Sequence, residues 1–122
     1  MLVAALLLVQ DAPIEGRWRN PTGSVTIEVA RCGPAWCGTV VAATAEARAD
    51  AARGGTATLI GTQLLTGLKP AAKGHWKGRL FVPDMNKRTH ADIAPAGPDR
   101  LKVRGCLVGA MLCKSQLWSR AD

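Results

Sequence analysis

The sequence predicts an all-β domain in which eight antiparallel strands close into an up-and-down barrel. Three observations carry that expectation. Thirteen glycines and seven prolines are spread along the chain at intervals, which cuts it into many short segments and argues against a helical bundle. Several of those segments alternate apolar and polar residues with a period of two, the spacing of a half-buried strand. One stretch alone, residues 43–53 (ATAEARADAAR), has helical composition, and it lacks an apolar stripe to orient it. The 122 residues suit one domain, and 48% apolar against 20% charged residues exclude a disordered tail or a solvated linker.

The elements follow in order. Residues 16–19 form a short strand that ends at Asn20-Pro21-Thr22-Gly23, a strong turn signal. In residues 24–31, Val25, Ile27 and Val29 share one face, with Thr26, Glu28 and Ala30 on the other. Residues 38–43 make the third strand. The helical stretch then reads as a mobile connection of one or two turns across one end of the fold. Residues 59–68 are the fourth strand, punctuated by Gly61 and Gly67, where a bend or bulge is expected. Residues 76–82 precede the turn Pro83-Asp84-Met85-Asn86, and residues 88–94 precede a second turn at residues 95–99. Residues 100–107 place Leu101 and Val103 against Lys102 and Arg104, and residues 112–120 end the barrel. Closure of eight short strands removes exposed edges. A five-stranded oligonucleotide-type barrel is the alternative, but it needs fewer and longer elements.

The ends of the chain bear on compartment. Residues 2–9, LVAALLLV, are eight uncharged apolar residues. That is too short to span a bilayer and about right for the apolar core of a secretory signal. No Lys or Arg precedes the run, and Gln10-Asp11-Ala12-Pro13 is a poor cleavage site, so a signal shortened by the choice of start codon is one reading. A buried N-terminal strand or helix is the other. On the first reading residues 1–12 are a signal remnant, residues 13–122 are the domain, and the protein is periplasmic or secreted. The four cysteines fall in two close pairs, Cys32/Cys37 and Cys106/Cys113. Their spacing does not fit zinc knuckles, and no histidine cluster accompanies them. Local pairing into two hairpin disulfides is the preferred one of three connectivities, and four reduced thiols are the competing reading. Loops this small contribute roughly 2–2.5 kcal/mol each by loop-closure arithmetic.

Gly16-x-Trp18 near the start, with Trp118 and Arg120 near the end, resembles the two ends of a lipocalin-type barrel. The resemblance implies an indole closing one end of the barrel with the Arg120 guanidinium over it, a cation–π contact worth about 0.5–2 kcal/mol. A wider pattern adds Cys32-Gly33-x-x-x-Cys37-Gly38, Leu59-Ile60-Gly61, Pro83-Asp84, residues 101–105 (LKVRG) and Gln116-x-Trp118-x-Arg120. Over residues 14–120 it is similar to the DUF2147 family of small exported bacterial proteins. That resemblance implies a lipocalin-like barrel in the periplasm or envelope and no established activity. The chain departs from the family where Asp50 and Arg53 lead directly into Gly54-Gly55-Thr56, and in the Met85-Asn86-Lys87 loop.

Candidate functional residues are few. His75 and His90 sit near turns on separate elements, and no paired carboxylates or Ser/His/Asp order stand out, so no catalytic, metal or cofactor residues are expected. The charge is lopsided. Residues 1–68 hold five basic against five acidic residues, and residues 69–122 hold eleven against four. Lys77, Arg79, Lys102, Arg104 and Lys114 fall on neighbouring strands of the barrel, a surface that attracts anions. With no Tyr and a single Phe, stacking on nucleic acid is not expected. Nor is a transmembrane span. Trp18 and Trp118 are expected in the core. Trp36, in the turn between the first two cysteines, and Trp76 are candidates for a ligand surface. Whether the interior holds a small apolar or amphipathic anionic ligand or is filled by its own side chains stays open. The expected role is ligand binding, and the alternative is a solid-core envelope protein that docks on an anionic component through its basic face.

Overall fold

The computed structural model describes residues 13–107 and 112–121. The signal-like segment and the turn around Gly109 lie outside them. Eight antiparallel strands run in sequence order around a closed barrel: β1 (Gly16–Arg19), β2 (Val25–Cys32), β3 (Ala35–Ala43), β4 (Gln63–Pro70), β5 (Trp76–Val82), β6 (Lys87–Pro95), β7 (Arg100–Leu107) and β8 (Leu112–Arg120). Helix α1 (Ala45–Arg53) joins β3 to β4. No helix among the described residues is long and apolar enough to cross a membrane.

Inward-facing residues of successive strands fill the barrel. Trp18, Ile27, Val29, Leu65, Leu68, Ile93 and Leu101 are buried almost completely, and no polar or charged residue is buried among the described ones. Three inward glycines show how tight the fill is. A Cβ on Gly38 would stand 3.2 Å from the ends of Ile27 and Leu65. On Gly78 it would lie 2.5 Å from the Thr66 carbonyl oxygen, and on Gly105 2.7 Å from Leu80 Cδ2. Each glycine is small because a neighbour occupies its space, so the interior is a packed core.

Two local results differ from the sequence expectation. The fourth strand begins at Gln63, not at Leu59. Residues 59–62 turn instead, with the Thr62 N–H donating to Leu59 O and Gly61 N–H to Val40 O. A bulge opposite Gly38 and Thr39 then lets two consecutive leucines, Leu64 and Leu65, both be buried, which strict alternation forbids. The second difference is α1, a nine-residue helix where one or two turns are expected, packed on the core. Thr44 caps it by accepting from the Ala47 N–H at 3.1 Å. Ala51 is fully buried, and Ala47 packs on the same cluster as Val25, Ala43, Leu80 and Phe81, so α1 plugs that end of the barrel. Its exit is clamped to the β5–β6 turn. Thr56 Oγ1 donates to Pro83 O at 2.9 Å. Gly54 runs so close to Asp84 that any side chain there would overlap the Asp84 carbonyl.

The other end is sealed by the termini. Trp18 lies opposite Arg120 across the β1–β8 seam. The guanidinium stands 4.2 Å from the indole ring centre. Trp18 Nε1 donates to Ile14 O at 2.9 Å. Arg120 donates to Glu15 O, Pro13 O and Pro98 O at 2.9, 3.2 and 3.3 Å. Trp118 is buried and donates from Nε1 to Gln116 Oε1 at 3.0 Å. Gly16, with φ of 119°, turns the chain into β1. Both local disulfides are formed. Cys106 faces Cys113 across β7–β8, whereas Cys32 reaches Cys37 diagonally across the β2–β3 hairpin, with a Cα separation of 5.9 Å.

Replacing Trp18 with Ala removes the largest fully buried side chain and is expected to cost about 3–5 kcal/mol. A denaturant melt of Trp18→Ala checks this, and a midpoint equal to wild type would contradict the sealed end.

Candidate functional site

Strand register decides which side chains leave the barrel together. On β5 to β7 the inward positions include Trp76, Gly78 and Leu80, then Ala91 and Ile93, then Leu101 and Val103. The alternate positions face outward. Pairing therefore lines up Lys69, Lys77, Asp92, Arg104 and Ser115 as one cross-strand row over β4 to β8. A second row carries Arg79, His90 and the Cys106–Cys113 bridge. Lys102 extends the same face on β7, whereas Lys114 pairs with the inward Gly105 and shares its side of β8 with buried Trp118, so register sets it on the other side of the sheet. Four of the five basic residues singled out from the sequence, Lys77, Arg79, Lys102 and Arg104, thus share one curved surface, and all five are exposed.

That face has a recess of about 330 Å³ lined by Lys77, His90, Asp92, Arg104 and Cys106. Its one carboxylate is already engaged. Asp92 Oδ1 accepts from His75 Nδ1 at 2.5 Å, and Oδ2 lies 3.3 Å from Lys77 Nζ. Burial pushes the Asp92 carboxyl up. The hydrogen bonds and charges of His75 and Lys77 outweigh it and hold the group below the usual carboxylate range. Arg79, Lys102 and Arg104 make no ion pair among the described residues. The face therefore offers cationic groups to an incoming anion while its own acid is occupied.

The two tryptophans expected at a ligand surface behave differently. Trp36 is not in the cysteine turn, because that turn is only Gly33-Pro34 and β3 already begins at Ala35. Pairing with Leu68 turns Trp36 into the core, where it is 9% exposed and packs with the buried cluster. Trp76 is half-buried and meets Trp36 edge to face, ring centres 6.2 Å apart. Arg31 stands 5.4 Å from the Trp36 ring. His75 was expected to stand alone, but the structure pairs it with Asp92, seventeen residues away.

The family model for DUF2147, described as an uncharacterized protein conserved in bacteria, matches residues 16–120. The chain belongs to the DUF2147 family. The solved structure of protein HP1028 from the human pathogen Helicobacter pylori, described as belonging to the lipocalin family, aligns with this DUF2147 protein at a TM-score of 0.64. The alignment covers 89% of this chain and 83% of that one, at 12% identity, a likeness of fold. No curated protein matches this DUF2147 chain in sequence. The fold of this family member is a lipocalin-like barrel, and its disulfides are compatible with an oxidising compartment.

Asp92 gives a signed expectation for acid stability. Its folded pKa lies below the ordinary aspartate value. Its contribution is therefore complete above that value and is lost as pH falls through the folded pKa. Urea melts of Asp92→Asn and wild type should differ at neutral pH and converge on acidification below about pH 4. A difference that stays constant with pH would contradict the pairing.

Proposed function

We propose that this protein is an exported, non-catalytic binding protein of the bacterial envelope. Its ligand is anionic and is held on the outer face of β5 to β8. The barrel itself is the scaffold. The observation that carries this reading is the cluster of Lys77, Arg79, Lys102 and Arg104 on one exposed face, where the acid in the same row, Asp92, is already paired. The packed interior supports the same choice, since the space beside inward Gly38 and Gly105 is filled by side chains and that beside Gly78 by the Thr66 carbonyl and Leu68. Two disulfides support an extracytoplasmic compartment, as does the apolar run in residues 2–9.

An anion held this way binds through exposed charges, so its affinity falls with salt. Binding to oligogalacturonate, a polymer of carboxylated units, is expected at low ionic strength and to weaken several-fold by about 0.15 M. Arg79→Gln with Arg104→Gln should weaken it several-fold more, and Arg48→Gln, on α1 away from this face, should not. Native mass spectrometry of the protein purified from its source should show a bare polypeptide mass. A retained apolar molecule that survives loss of the two arginines would move the site to the interior and overturn the reading.

A further inference from the structure

A second recess, of about 360 Å³, adjoins the basic face and differs from it in chemistry. It lies outside the barrel, between the segment that follows α1 and the β5–β6 turn. Thr56, Gln63, Thr66, Phe81, Asn86 and Arg88 line it. Its two walls are fixed to each other. Thr56 Oγ1 donates to Pro83 O at 2.9 Å, and the Gly54 and Gly55 backbone packs on Asp84 and Asn86. The recess is therefore formed before any ligand arrives.

Its polar groups are available. The side chains of Gln63, Thr66, Asn86 and Arg88 make no hydrogen bond or ion pair to other described residues. Two carboxamides, each with a donor and an acceptor side, and a hydroxyl converge on one space. That combination suits neighbouring hydroxyl groups, which also donate and accept. Arg88 stands over the Phe81 ring, its guanidinium carbon 5.0 Å from the ring centre. Contact with the ring holds the guanidinium beside the recess, and its planar fork of donors matches a carboxylate better than a diffuse anion. Phe81 adds apolar surface for a C–H face.

We propose that this recess binds a sugar unit bearing a carboxylate, so that the anion held by the protein is an acidic saccharide. The inference rests on the anion-binding reading above and gives it a chemical class. Geometry joins the two regions. Phe81, Arg79 and Lys77 alternate along the outer side of β5, opposite Arg88, His90 and Asp92 of β6. Alternate positions on a strand are about 6–7 Å apart. A saccharide chain seated at Arg88 therefore continues over Arg79 and Lys77.

The test compares oligogalacturonate with polyglutamate of equal charge, by titration calorimetry on the full chain. Gln63→Ala and Asn86→Gly are combined. Glycine keeps the left-handed backbone that Asn86 adopts at φ of 51°. The double variant should bind oligogalacturonate roughly tenfold more weakly and polyglutamate unchanged. Amide shifts on the wild-type protein supply a readout independent of variant folding. Residues Gln63, Thr66 and Arg88 should move with oligogalacturonate and not with polyglutamate. Equal binding of both polymers by wild type, with no shifts in this recess, overturns the saccharide assignment and leaves the basic face standing as a site for acidic polypeptide. Failure of both polymers to bind overturns the anion reading, and this inference with it.

Discussion

The barrel depends on its narrowest seam. β1 is four residues long, and only Trp18↔Arg120 and Arg19↔Ser119 register it against β8. So short a ladder is a weak closure on its own. Arg120 supplies what the ladder lacks. Its guanidinium covers the Trp18 ring and donates to carbonyls from two other parts of the chain, at residues 13–15 and at Pro98. Its backbone N–H bonds Asp99 O, and the next N–H bonds Arg17 O. One residue thereby ties the N-terminal segment, the β6–β7 turn and β8 together. A planar cation with five N–H donors in a fixed fork suits this role better than a lysine ammonium, whose three donors leave from one atom.

Closure at that end and the α1 plug at the other leave the interior to side chains. A chain of this length has little volume to spare, and the inward glycines show where it was used. Specific chemistry is thus displaced to the outside, where register alone brings charges from several strands into rows. The local disulfides fit the same account. A small domain has a modest core, and each staple holds a hairpin, the Cys106–Cys113 bridge within the working face itself.

Much of this was legible in the residues. Period-two alternation and turn signals located the strands to within a few positions, and β1, β5, β7 and β8 agreed at both ends. The two cysteine pairs and the terminal Trp and Arg residues were readable because their chemistry is rare and their spacing local. What failed depended on tertiary context. The buried leucine pair needs a bulge, and a bulge leaves no mark on a periodicity count. Trp36 looked like part of a turn because Gly33-Pro34 already closes the hairpin two residues earlier than the cysteine spacing implies. The His75–Asp92 pair is created by the β5–β6 register. The recess at Arg88 is assembled from three separate segments, so no single stretch of sequence announces it.

The central claim is that the seam is integral to the folded state and is not a frayed edge. Native-state amide hydrogen exchange tests it directly. The N–H groups of Arg120 and Ala121, bonded to Asp99 and Arg17, should exchange only through global unfolding, at the rate of the slowest amides in β2 and β3. Exchange through a local opening, with β1 and β8 releasing protons while β2 to β7 stay protected, would contradict the account.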